Sequence, residues 1–258
     1  MSYRVGLPPY ANVAPLARYL RPQGFELVRA VPTELNRGLL EGELELSLVS
    51  SVFYLEHKDR LEPLPDFAVA VLGRVYSVNL FSRVPFEQAR RIALTTESAT
   101  SVRLLRLLLG EDRAYERVEG GLELLDRYDG VLLIGDRAVR AYAELLPSLP
   151  ESVHDLPERP SGVHVTDLAE AWYRRTRLPF VFAVWAHPKG APPPPEVLAE
   201  LRRARREGLA RLGEVARAEA ERLGVAWPLL LHYLWNFRYH FEAPDREGLA
   251  AFARLVLG

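Results

Sequence analysis

The sequence predicts a two-lobed α/β protein with a cleft between its lobes, and three observations carry that prediction. Short apolar runs alternate with segments of helical periodicity along most of the chain, the pattern of strands laid beside helices. At 258 residues the chain exceeds one typical domain and suits two lobes. Two stretches, near Ser82–Arg91 and near Leu178–Trp185, read as crossings between lobes. The first lobe is then discontinuous, residues 1–86 plus 181–258, and residues 87–180 form an insertion. Such a doubly crossed hinge can close around a small ligand.

The elements follow in order. Tyr3–Leu7 reads as a strand, and Asn12–Val13–Ala14–Pro15 as a helix start, with Asn12 capping and Pro15 in the first turn. Phe25–Val31 is a second strand, and Thr33 caps a helix ending near Gly42. Leu44–Val49 is a third strand, with Ser50–Ser51 where the next helix begins, and Phe67–Leu72 and Ser77–Phe81 follow as strands. After Pro85, Arg91–Thr96 is a strand and Ser98–Ser101 leads into the amphipathic Val102–Leu109. Tyr128–Ile134 is a buried strand before Gly135–Asp136 and a helix over Ala138–Leu145. Val163–Thr166 reads as loop or edge strand, and Asp167 caps the helix that holds Trp172. The apolar run Leu178–Trp185 returns to the first lobe. Prolines 192–195 then precede three C-terminal helices, Glu196–Arg211, Glu214–Leu223 and Asp245–Leu257. The aromatic stretch Trp227–Phe241 suits either core packing or the face of a homodimer.

Composition narrows the function classes. A net charge of −1 creates no field that would recruit nucleic acid or an anionic membrane, and the arginines of Glu196–Arg211 read as a solvated helix face. Cysteine is absent, so this chain has no disulfides, thiolate nucleophile or cysteine metal site. The six histidines show no metal-binding spacing, and neither a metal nor a cofactor is expected. No apolar run approaches the roughly 20 residues of a membrane span. The segment Met1–Leu7 enters a strand pattern without the features of a signal peptide, which predicts a cytoplasmic address.

In open α/β sheets ligands bind beyond the carboxyl ends of strands, where helix N-termini offer free N–H groups. Small polar residues stand at four such junctions: Tyr10–Asn12, Ser50–Ser51, Ser98–Ser101 and Gly135–Asp136. Asn12, Ser50, Ser98 and Asp136 would each serve as a helix cap in any protein, and Ser77 could simply face solvent. Their concurrence at strand ends of both lobes suggests the lining of a site for a small dianion or trianion.

Several segments, in order, resemble the chorismate dehydratase family of the futalosine route to menaquinone. Tyr10–Leu16 resembles its Tyr-x-Asn-x-x-Pro-Leu opening, and Gly42–Ser51 its Gly-Glu-Leu-Asp segment before a serine pair. Ser77–Ser82 looks like its Ser-Val-x-Leu-Phe-Ser strand, and Thr95–Ser101 is similar to its Thr-x-Glu-Ser-x-Thr-Ser turn. Ile134–Ala138 and Thr176–Trp185 complete the set, so the likeness runs from residue 3 to about 187. The chain departs from the pattern at Glu45, Arg177 and Val139. The resemblance implies a periplasmic-binding-protein-like (type II) fold and dehydration of chorismate to 3-[(1-carboxyvinyl)oxy]benzoate. A sister family on this fold makes 1,4-dihydroxy-6-naphthoate with a histidine where this chain has Gly135–Asp136. A small-anion-binding protein without catalysis is the other alternative.

Under that resemblance Asn12 is the expected catalytic residue, orienting the substrate or donating to the departing hydroxyl. Ser98, Thr100 and Ser101 are expected to hold one carboxylate, and Ser50 and Ser51 the other. Ser77, Gly135 and Asp136 complete the substrate-binding set. An amide cannot accept the proton, which leaves Asp136, Glu97 or the substrate's own enolpyruvyl carboxylate, the last preferred.

Overall fold

The computed structural model describes residues 2–146 and 162–257; His154 lies outside them. The chain opens with β1 (Tyr3–Leu7), a 3₁₀ turn (Ala11–Val13), α1 (Ala14–Ala17), β2 (Phe25–Arg29) and α2 (Pro32–Glu41). It continues with β3 (Leu46–Ser50), α3 (Ser51–Glu56), β4 (Leu61–Val71), β5 (Val78–Ser82), β6 (Arg91–Leu94) and α4 (Ala99–Leu109). Then come β7 (Ala114–Arg117), β8 (Gly130–Ile134), α5 (Gly135–Glu144), β9 (His164–Asp167), α6 (Leu168–Thr176) and β10 (Phe180–Pro188). The C-terminal part holds α7 (Pro195–Ala210), α8 (Leu212–Leu223), α9 (Trp227–Trp235), β11 (Phe237–Arg238) and α10 (Ala243–Leu257).

Two sheets organise these elements. The first has the order β11-β4-β10-β3-β1-β2 and the second β7-β6-β8-β5-β9. β1, β2 and β3 run parallel, as do β6, β7 and β8, while β10 runs antiparallel to β3 and β4, and β5 antiparallel to β8 and β9. The return of Phe180–Pro188 to the first sheet agrees with the apolar pattern of that run. The first crossing does not fall where the sequence suggested. Val78–Ser82, expected with the first lobe, pairs with β8 and β9 in the second sheet, so the chain changes sheet between Val71 and Val78. All five residues of β5 are buried, as suits a strand with neighbours on both edges.

Local chemistry explains most boundaries. Asp167 caps α6, accepting from the N–H groups of Ala169 and Glu170, and Ser98 caps α4 by accepting from Ser101 N–H. Asn12 is not a cap: it lies inside the 3₁₀ turn, and Val13 precedes α1 without a side-chain cap. Pro32, not Thr33, opens α2. Asp136 falls within the first turn of α5, after the N-cap Ile134. β7, a short and largely exposed strand, was not anticipated. Trp227–Phe241 contains the unanticipated α9 and packs mainly into the core: Tyr233 and Tyr239 are buried, while Trp235 stands 74% exposed. Among the described residues no helix is long and apolar enough to cross a membrane.

Candidate functional site

A cavity of about 260 Å³ lies between the sheets, where β3 and β8 end and α3 and α5 begin. Its wall draws on both sheets: Asn12 and Ser50 from one side, Ser98, Ser101 and Gly135 from the other, and Ser77 from the crossing between them. Phe53, Val75, Ile134, Phe182 and Phe237 supply apolar surface. A cleft with a few convergent polar groups on an apolar wall is the usual architecture of a small-molecule site. A larger hollow of about 880 Å³ beside β9 and α6 contains none of these residues.

Six of the nine expected site residues therefore line one cavity, and the other three do not. Ser51 is fully buried, and its hydroxyl donates to the Val181 carbonyl of β10. Thr100 Oγ1, 1% exposed as a residue, accepts the Val52 N–H of α3 at 3.0 Å. Asp136 Oδ1 accepts the Ala11 N–H at 3.0 Å, and Oδ2 meets Arg222 at 2.7 Å. Each of these side chains bonds within the protein, and none of the three lines the cavity.

The groups that remain are well placed to act. Asn12 Oδ1 is buried and has no hydrogen-bond partner among the described residues. An orphan acceptor of this kind costs about 1–3 kcal/mol, a cost that a donor on a bound ligand would remove. The Asn12 main chain is held, because Tyr239 donates its hydroxyl to the Asn12 carbonyl at 2.8 Å. Ser98 Oγ lies 3.0 Å from Ser101 Oγ and accepts Ser101 N–H at 3.1 Å. With Ser98 donating, the Ser101 hydroxyl proton is left for a ligand. Ser50 Oγ accepts from Phe53 N–H at 3.4 Å, which orients it at the start of α3. Gly135 has φ +58, the left-handed region where a Cβ is strained; its N–H donates to Ser77 O at 2.7 Å.

The carboxylates near the cavity are all engaged by arginine. Glu97 pairs with Arg137 at 3.3 Å, Glu56 with Arg103 at 3.8 Å, and Asp136 with Arg222. Burial pushes the Tyr10 phenol up to about 12, with Glu97 and Asp136 adding to the rise and Arg137 opposing it. Tyr10 therefore enters the site as a neutral hydroxyl at ordinary pH.

Comparison with known proteins decides the family. A sequence model of the menaquinone biosynthesis family matches residues 3–257. The chain belongs to that family. It is 65% identical over 257 residues to the chorismate dehydratase of Thermus thermophilus, covering 98% of this chain and 95% of the relative. It is 27% identical over 182 residues to the chorismate dehydratase of Campylobacter jejuni, covering 67% of this chain and 62% of that protein. Among solved structures, a protein from Archaeoglobus fulgidus superposes with a TM-score of 0.71 at 19% identity, covering 98% of this chain and 95% of the other. The periplasmic aliphatic sulphonate binding protein of Escherichia coli gives 0.63 at 15% identity, covering 98% and 90%. These likenesses establish the periplasmic-binding-protein-like fold.

The cavity has further lining residues that local sequence pattern does not single out. Thr33 and Asn36 line the cavity from α2, and Asn36 Oδ1 is a second buried oxygen without a partner among the described residues. Their i, i+3 spacing, which puts both on one helix face, was an available signal. Arg117 lines the cavity from the end of β7 and has no carboxylate partner among the described residues. Nothing in the pattern of Ala114–Arg117 marked it, since the strand has no apolar alternation to betray it.

Proposed function

We propose that this chain is a lyase that removes water from chorismate to give 3-[(1-carboxyvinyl)oxy]benzoate. The observation that carries this reading is the cavity itself: Asn12, Ser50, Ser77, Ser98, Ser101 and Gly135, from both sheets, converge on it. They do so in a chain 65% identical to a named chorismate dehydratase.

The chemistry follows from the groups present. The C3 proton of chorismate is acidified through the ring alkene by the ring carboxylate. Donors held on that carboxylate stabilise the charge that builds there as the proton leaves. Ser101 at the start of α4, held by Ser98, offers such a donor from one side of the cavity, and Ser50 from the other. The exposed guanidinium of Arg117 favours entry of a dianion. Asn12 addresses the reacting edge of the ring: its amide orients the C4 hydroxyl as the C4–O bond breaks.

The proton acceptor is the substrate's enolpyruvyl carboxylate. Glu97, Glu56 and Asp136 each form an ion pair with an arginine, and Asp136 does not line the cavity. The substrate carboxylate takes the C3 proton and passes it to the departing hydroxyl. The electrons of the C3–H bond enter the ring, the C4–O bond breaks, and one water leaves an aromatic product.

Incubation of the purified protein with chorismate, followed by mass spectrometry, tests the reading. Loss of one water with appearance of the aromatic enol ether is expected. Unchanged chorismate would overturn it.

A further inference from the structure

We propose that Asp136 is a positioning residue, which fixes the backbone of Asn12 from across the seam between the two sheets while Arg222 offsets its charge. This rests on the dehydratase reading for what Asn12 does, but the clamp itself is geometric.

Asp136 sits in the first turn of α5, directly after the left-handed Gly135 that lines the cavity. Its Oδ1 accepts the Ala11 N–H at 3.0 Å. Ala11 is fully buried, so that amide has no solvent to turn to and requires a partner within the protein. One residue later the Asn12 carbonyl accepts the Tyr239 hydroxyl at 2.8 Å, and Tyr239 is itself 1% exposed. The turn is thus gripped on the donor side by the second sheet's helix and on the acceptor side by the C-terminal region. What the grip leaves over is the Asn12 side chain, whose Oδ1 is buried without a partner among the described residues.

The choice of a carboxylate has a reason and a cost. A charged acceptor binds an N–H more tightly than a neutral one, yet a negative charge beside a site for a dianion would repel the substrate. Arg222 answers the cost. Its guanidinium meets Asp136 Oδ2 at 2.7 Å and Glu219 at 2.6 Å. The Arg140 guanidinium donates to the Leu223 carbonyl at 3.1 Å and docks α5 on α8 beside that pair. Asp136 therefore acts through Asn12 and Arg222 acts through Asp136, and neither lines the cavity.

The test uses the full chain with chorismate, comparing D136N, D136A, R222Q, N12A and N12A/D136A against wild type. D136N keeps an oxygen for the Ala11 N–H and is expected to retain most of kcat. D136A frees the turn and is expected to lower kcat about 10- to 100-fold with little change in KM, the scale of a misplaced reacting group. In the N12A background D136A should cost nothing further, because groups acting as one unit are not additive. R222Q uncovers the charge and should raise KM while leaving kcat close to wild type. Amide hydrogen exchange at Ala11 and Asn12 reads the clamp without turnover: it should quicken in D136A and not in D136N. If D136N were as damaging as D136A, the charge itself would be acting and the proposal would fall. It would also fall with additive losses in N12A/D136A, an unchanged KM in R222Q, or unchanged exchange in D136A. Where D136A does not fold, D136N and R222Q decide by the same criteria. A wild-type protein inert toward chorismate would instead overturn the reaction, leaving the exchange data to judge the clamp.

Discussion

A carbonyl oxygen buried without a partner is an expensive thing for a protein to keep, and Asn12 keeps one beside the cavity. The residue is not free to relax, since its own carbonyl is tied to Tyr239 and the preceding N–H to Asp136. Substitution by aspartate keeps the volume and replaces an amide by a charge. N12D should place that charge against a dianionic substrate and lower kcat/KM by about 100-fold or more, the scale of losing one well-placed polar group. Steady-state kinetics with chorismate checks it, and near-wild-type activity would remove any specific role for the amide. At this scale the sequence pointed both to residues that line the cavity and to neighbours that do not. Ser51, Thr100 and Asp136 stand next to true lining residues, but their polar groups face the Val181 carbonyl, the Val52 N–H and the Ala11 N–H. A side chain's direction depends on partners 130, 48 and 125 positions away, which no local pattern can report.

Among the elements, the short α1 is held in place by a helix that follows it by nearly 200 residues. α7 crosses it so closely that a Cβ placed on Gly208 would lie 1.8 Å from the Pro15 carbonyl oxygen. Only glycine permits that approach. G208A should force the two helices apart, with a loss of about 1–3 kcal/mol or more from overpacking, measured by urea unfolding. The same change at Gly213, where nothing lies within 4 Å of an added Cβ, should be neutral or stabilising by about 0.5–1 kcal/mol through helix propensity. Equal losses at the two positions would mean that the α1–α7 contact is not the cause. Since α1 continues the turn that carries Asn12, G208A is also expected to reduce turnover.

For the molecule as a whole, one partly buried histidine, one exposed histidine with a lowered proton affinity and one buried carboxylate set how stability changes with pH. His232 lies edge-on to Tyr76 at 5.2 Å, and burial, aided by Arg74, lowers its proton affinity below the ordinary imidazole value. His240 is lowered in the same direction by burial and by Arg205 and Arg238, against Glu242 and Asp66. A histidine lowered in the folded state contributes stability above its unfolded value of about 6.5 and loses it as the pH falls through the folded value. Asp167 works with the opposite sign at lower pH. Burial raises it to about 6 against the pull of backbone donors from Val75, Tyr76 and Glu170 and the charge of Arg74. The stability it lends is present below its ordinary value near 3.9 and is lost as the pH rises through 6. As the pH is lowered from about 7.5 toward 6.5, above the value near which Asp167 protonates, the histidines should lower the melting temperature. H232Q/H240Q should flatten that slope, and an unflattened one would put its cause elsewhere.

The sequence by itself determined the α/β class, the return of Phe180–Pro188 to the first sheet, and the junctions that meet at the cavity. These are written in local periodicity, in capping chemistry at Ser50, Ser98 and Asp167, and in motifs shared with a family. Only the tertiary structure decided that Val78–Ser82 pairs within the second sheet, since an apolar strand of five residues suits either sheet and its partners are chosen by the path of the chain. Only it showed Arg117 and Asn36 at the cavity. The same holds for the division of neighbouring polar residues into those that line the cavity and those that bond within the protein. Burial and hydrogen-bond satisfaction belong to the packed molecule, and a sequence acquires them only when distant segments meet.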